Sequence, residues 1–205
     1  MIEYVGQMGL ITLTSASLIY SLLRIFNTYG FTDFIDSTNI YKSNIYDAFP
    51  DPTQPGFKAN FKLPAISIYH LMTLPDEPLQ LGGGRWVKRV YNIDVFARNG
   101  SERDEVSEFI RDNFTSIAIP LYDFNPVRSD PLDPSSPLIN KMPYLGTKNT
   151  PTSSVNPNFD DEAQRLGKIR IEPIVITITP YNLIAGVNSF HAALGLNVNI
   201  MRDSS

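Results

Sequence analysis

The chain contains no cysteine among its 205 residues. A disulfide frame and a thiolate metal site are therefore excluded, and the absence fits either a cytosolic assembly route or simple avoidance of thiols. Histidine is nearly absent too: His70 and His191 stand far apart in different contexts. His70 falls on a predicted strand, where a hydrogen-bonded structural role is expected. No HExxH, paired metal-ligand spacing or GxSxG elbow occurs. An excess of positive charge is also missing. The formal charge of −4 gives no global attraction to nucleic acid or to an anionic membrane. No stretch approaches the roughly 18 apolar residues of a membrane span. The amino terminus is apolar but does not read as an export signal. Glu3 stands where a basic region belongs, and Thr12, Thr14, Ser15, Ser17 and Ser21 interrupt any hydrophobic run.

Other short features also fall short of a site. Gly82-Gly83-Gly84 precedes Arg85-Trp86 and a strand, not Lys-Ser or Lys-Thr and a helix, so it reads as a hairpin tip and not a phosphate loop. Asp33/Asp36 and Asp160/Asp161/Glu162 lack the ligand spacing and glycine of a calcium loop and read as solvated charge. Arg85, Lys88, Arg89 and Arg98 are shared between two faces of one strand, with no groove-reading helix or stacking platform. The expectation is a chain without catalytic, metal-binding or cofactor-binding residues.

What is present is a core. An apolar share of 42% over this length suits one α/β (α+β) domain spanning 1–205, with room for a large excursion. From Trp86 to Ala97 the residues alternate. Val87, Tyr91, Ile93, Val95 and Ala97 take one face, while Lys88, Asn92, Asp94 and Arg98 take the other. Asn99-Gly100 supplies a turn, and Ser101 with Asp104 forms a capping-box-like start. Val106, Phe109, Ile110 and Phe114 follow at helical spacing. Upstream, Thr14 or Ser15 is expected to cap a helix burying Leu18, Ile19, Leu22, Leu23, Phe26 and Tyr29, with Gly30 ending it.

Leu63–Leu71 reads as a strand that pairs with the 86–97 strand in a hairpin. Ile117–Phe124 reads as a further strand, with Pro120 arguing for an edge. In Lys168–Thr179 the apolar phase changes from Ile169 and Ile171 to Ile174, Ile176 and Ile178, so Pro173 is expected at a bulge or bend. Residues 31–62 read as a loop with one short element. Residues 125–166, with seven prolines from Pro126 to Pro157, read as a long loop. That loop is either a solvated insertion or a segment ordered against a neighbour. The 181–205 tail, nearly uncharged, alternates at Leu194, Leu196, Val198 and Ile200 and reads as a final strand or an extended arm.

The order helix, linker, hairpin, helix, strand, loop, strand, with PAISIY followed by RVYNIDVFARNGSERDEVSEFIRDNF, resembles the tail-terminator and head–tail joining (neck) proteins of tailed bacteriophages. The resemblance covers the helix at 14–29, the region 64–124 and the closing strand at 168–179. The 31–62 linker, the 125–166 loop and the arm after 180 exceed the compact family core. The resemblance implies a small, mostly antiparallel sheet packed by two helices, and structural work without catalysis. Such proteins form homo-oligomeric rings, commonly hexameric, between head connector or adaptor proteins and tail tube or sheath proteins. It also implies a place in the virion neck after assembly in the host bacterial cytoplasm, with no membrane and no sequence-specific nucleic acid, though the genome passes through such a ring.

Ring interfaces are heterologous, and strand addition is a cheap way for an arm to dock. Tyr144, Leu145, Phe159, Phe190, Leu194 and Leu196 are the anchors expected to meet neighbouring subunits. A second reading is a stand-alone ligand-binding or regulatory domain with 125–166 as its lid. A third, a hydrolase using Asp94 or Asp123, is the weakest, because no base, nucleophile or metal partner accompanies either residue in the sequence.

Overall fold

The computed structural model describes residues 9–31, 33, 44–46, 62–75, 77–78, 85–116, 118–125, 127–128, 132–133, 135, 138–139, 165–179 and 189–202. Helix α1, Leu10–Tyr29, begins earlier than the sequence suggests, with Gly9 at its N-cap and no side-chain cap. The expected caps lie inside the helix. The Thr14 hydroxyl donates to Leu10 O at 2.7 Å and Ser15 to Ile11 O at 3.1 Å. Inside a helix, serine and threonine hydroxyls satisfy themselves by this bond back to the carbonyl four residues earlier. Gly30 ends α1 as expected. It is left-handed at φ 78°, and the capping N–H donates to Phe26 O. Leu13, Leu18, Ile19, Leu22, Leu23 and Phe26 make the buried stripe.

Strands β1 (Ile45–Tyr46), β2 (Ala65–Thr73), β3 (Glu77–Pro78) and β4 (Arg85–Ala97) follow. β2 and β4 form the expected antiparallel hairpin, with a register shift between His70 and Met72. β4 feeds helix α2, Gly100–Ser116. Its cap sits two residues before the expected one. Asn99 Oδ1 accepts the Glu102 N–H at 2.9 Å, and a Glu102 carboxylate oxygen accepts the Arg98 N–H at 2.7 Å. Asn99 is thus the cap, and Glu102 reaches back one residue beyond it, to Arg98, in a variant of the capping box. Val106, Ile110 and Phe114 are buried, and Phe109 packs its ring against Phe26, Phe31 and Tyr29 at the end of α1.

Strand β5 is Ile119–Tyr122, and a small ladder pairs β6 (Val127–Arg128) with β7 (Leu138–Ile139). The 125–166 segment is therefore not a structureless loop in its described parts. Strands β8 (Arg165–Ile171), which opens inside that segment, and β9 (Val175–Thr179) run along the same neighbour and are broken where Pro173 stands. At the break Glu172 N–H still reaches Asn197 O at 3.0 Å. This is the expected bend. β10, Phe190–Arg202, is the neighbour of both.

These strands make an eight-stranded sheet ordered β1-β2-β4-β10-β8-β5, with β3 beside β4 and β9 beside β10. Every pair is antiparallel except β1 with β2. The chain is an α+β fold with a mostly antiparallel sheet, as expected. Both helices bury their stripes in one core with Ile66, Ile68, Tyr91, Ile93, Val95, Leu194, Leu196, Val198 and Ile200.

The tail reading needs correction. Residues 190–202 are not an arm laid on a neighbour. β10 pairs along eleven positions with β4, from Phe190↔Ala97 to Ile200↔Val87, and lies in the middle of the sheet. Its low charge reflects a strand covered on both edges, which cannot afford solvated side chains on its core side.

Candidate functional site

The sheet face turned away from the helices carries the only acid–base pair that the described residues bury. Residues opposite one another across a sheet share a face. Phe96 is opposite Ala65 and His191, and Asp94 is opposite Ser67 and Ala193. Ala65 and Phe96 form a second small apolar cluster with Tyr46 and Leu63 against it. Beside that cluster His191 Nε2 meets Asp94 Oδ1 at 2.7 Å, both side chains being 3% exposed. The other ring nitrogen, Nδ1, lies 2.9 Å from Thr179 Oγ1 on β9. The Phe96 ring packs 5.1 Å from the imidazole, centre to centre.

The chain of contacts continues on the carboxylate side. Asn92 Nδ2 donates to Asp94 Oδ1 at 3.0 Å and to the Tyr69 phenol oxygen at 3.1 Å. Burial, then the nearby Asp94 carboxylate, pushes the Tyr69 phenol up to about 12. It stays a neutral hydroxyl throughout the physiological range. Four strands, β2, β4, β10 and β9, are thus joined side chain to side chain across the sheet.

Carboxylate, imidazole and hydroxyl stand in the order that nucleophilic catalysis uses. Access is what the arrangement lacks. Both the Asp94 and the His191 side chains are almost wholly shut off from solvent. A buried hydrogen bond between side chains on neighbouring strands holds those strands in register, and removing one partner leaves the other's polar atom buried and unmet. The geometry supports a cross-strand pin. The earlier statement that no base accompanies Asp94 is corrected: His191 does, 97 positions along the chain. Asp123 instead accepts the Asn125 N–H at 2.9 Å in a local turn. His70 sits near Thr73 Oγ1 at 3.3 Å with its ring 5.4 Å from that of Tyr91, as a structural histidine would.

Two clefts lie at opposite ends of α2. One, of about 370 Å³, is lined by Tyr29, Gly30, Phe31, Asp33, Glu102, Glu105 and Val106. Arg98 bridges Asp33 and Glu102 beside it, and these carboxylates raise the guanidinium's already high pKa further. The other, of about 480 Å³, is lined by Lys88, Thr115, Arg170, Ile171, Glu172, Pro173 and Asn199. No group of three or more metal-ligating side chains gathers among the described residues. No described helix is long and apolar enough to cross a membrane.

The six expected interface anchors separate. Tyr144, Leu145 and Phe159 lie outside the described residues. Phe190, at the start of β10, is 43% exposed and free to meet a partner. Leu194 and Leu196 are 0% exposed within the subunit. They pack in the core under both helices and cannot dock on a neighbour, which corrects that expectation. The residues missed by sequence reasoning are His191, Thr179 and Tyr69. Their only signal was polar side chains on predicted strands, and the pairing of β4 with β10 was needed to bring them together. No protein-family model matches the chain, and no curated protein matches it.

Proposed function

We propose that this chain is a structural subunit of a tailed-phage neck, forming a homo-oligomeric ring that terminates the tail tube or joins the tail to the head connector. The observation that carries the reading is the path of the chain through its core. An amino-terminal helix and a hairpin-fed second helix lie on one face of a mostly antiparallel sheet, closed by the strand after residue 165. That is the architecture the resemblance calls for. The buried Asp94–His191 pair supports it from the other side, because its chemistry is spent on joining strands. In this reading the protein performs no catalysis, works in the virion neck, and meets connector or adaptor proteins on one side and tube or sheath proteins on the other.

The second reading, a ligand-binding domain, draws on the 480 Å³ cleft, whose size suits a small molecule and whose Lys88 and Arg170 suit an anion. One set of measurements separates the two. Light scattering and electron microscopy of the purified chain, alone and with connector or tube protein, are expected to show rings or ordered co-assemblies. Deleting 140–155 is expected to leave a folded subunit that no longer enters particles. A strict monomer that ignores those partners and binds a small anion stoichiometrically in calorimetry would favour the second reading and end the first.

A further inference from the structure

The two edges of the sheet beyond β10 are finished differently. At the β5 edge, Pro120 has no N–H to offer, and the Tyr122 N–H is taken by the Ser17 hydroxyl of α1 at 3.0 Å. Ser17 is fully buried in that position. Proline and a covering helix are among the means by which proteins close an edge against other chains. Among the described residues Val175–Thr179 has neither: its prolines, Pro173 and Pro180, flank the strand and do not fall within it. β10 occupies one side of Val175–Thr179, and no strand lies on the other among the described residues. All five residues are β-branched and none is charged. Val175 and Ile178 are 69% and 51% exposed.

We propose that β9 is a self-pairing edge, at which two copies of the chain join antiparallel about a two-fold axis through Thr177 and make one continuous sheet. The sequence of β9 suits itself. In the one register that pairs all its residues, Thr177 faces Thr177 of the second copy, Val175 faces Thr179, and Ile176 faces Ile178. The isoleucines then share the helix side of both sheets, and valine and threonines share the other. Threonine and β-branched pairs are favourable across strands, whereas like charges would oppose. Here no charge is present to oppose, and a charged partner strand would find no counter-charge.

The strand is also held in advance. His191, itself fixed by Asp94, binds the Thr179 hydroxyl, so little ordering is left to oppose association. A patch this short falls well below the roughly 1,600 Å² of a standard interface, so the contact is weak and concentration-dependent. Being isologous, it joins two free subunits or two rings and does not rest on the neck reading.

A chain without cysteine makes the test clean. In the full-length protein, Thr177→Cys is expected to yield a disulfide-linked homodimer under mild oxidation, since side chains directly opposite place their Cβ atoms about 4.5–5.5 Å apart. Val175→Cys, displaced from its own copy by about 13 Å along the paired strands, is expected to cross-link at least about tenfold more slowly. Thr177→Lys is expected to keep the circular dichroism of the parent while losing both concentration-dependent sedimentation and the protection of those 175–179 amides that point away from β10. Equal cross-linking at both positions would overturn the proposal. So would association with protected 175–179 amides but no Thr177→Cys dimer, which would give the edge to a different segment. Absence of any association at millimolar concentration would overturn it too. Entry into particles is scored separately and bears on the neck reading alone.

Discussion

Alternation along β4 sets Asp94 beside Lys88 and Asn92 on the polar side of a half-buried strand. That side is as sealed at Asp94 as the core is. The carboxylate is stabilised by partners no spacing rule could nominate. Asn92 is two positions away, but His191 comes from a strand whose register with β4 only the folded sheet defines. Among the described residues the carboxylate's Oδ2 has no hydrogen-bond partner, so Asp94 depends heavily on what its Oδ1 receives. His191→Ala removes the shortest of those contacts and leaves a buried carboxyl oxygen without its closest partner. It is expected to destabilise the subunit by about 1–3 kcal/mol in urea unfolding. A loss below ~1 kcal/mol would mean that water reaches the carboxylate once the ring is gone.

At the scale of elements, legibility follows local chemistry. The β2–β4 hairpin, the edge at Pro120, the bend at Pro173 and the glycine stop of α1 were all readable, because each rests on residues adjacent in sequence. Helix starts were less so. Ser101 and Asp104 mimic a capping box two residues inside the real one, and both can occupy a first turn without strain. What decides is the return bond from Glu102 to the Arg98 N–H. Asn99→Ala is therefore expected to cost about 1 kcal/mol. Ser101→Ala, at an exposed first-turn position, should stay within about 0.5 kcal/mol. Thermal or urea unfolding of the two variants side by side reads the difference, and the reverse order would restore Ser101 as the cap. In α1 the same ambiguity misled at Thr14 and Ser15, whose hydroxyls bond backward to Leu10 and Ile11.

At the scale of the whole molecule, the role of residues 190–202 was the least legible feature. An uncharged alternation of leucine with glycine and asparagine suits an arm and a central strand equally well, and only the partner strands distinguish them. β10 touches β4, β8 and β9 and buries Leu194, Leu196, Val198 and Ile200 under the helices. Removing residues 190–205 is expected to abolish cooperative unfolding. In the intact subunit the 192–199 amides are expected to exchange among the slowest, near the global opening free energy. Fast exchange there in an isolated, folded subunit would return the segment to the status of an arm. The position of β10 also orders events in time. Every strand it joins is translated before it, so β4 leaves the ribosome with one row of backbone N–H and C=O groups that nothing yet pairs. Contacts this distant in sequence close slowly. The sheet therefore matures only after residues 190–202 have been made, and a chain cut short before that point is expected to yield no cooperatively folded fragment.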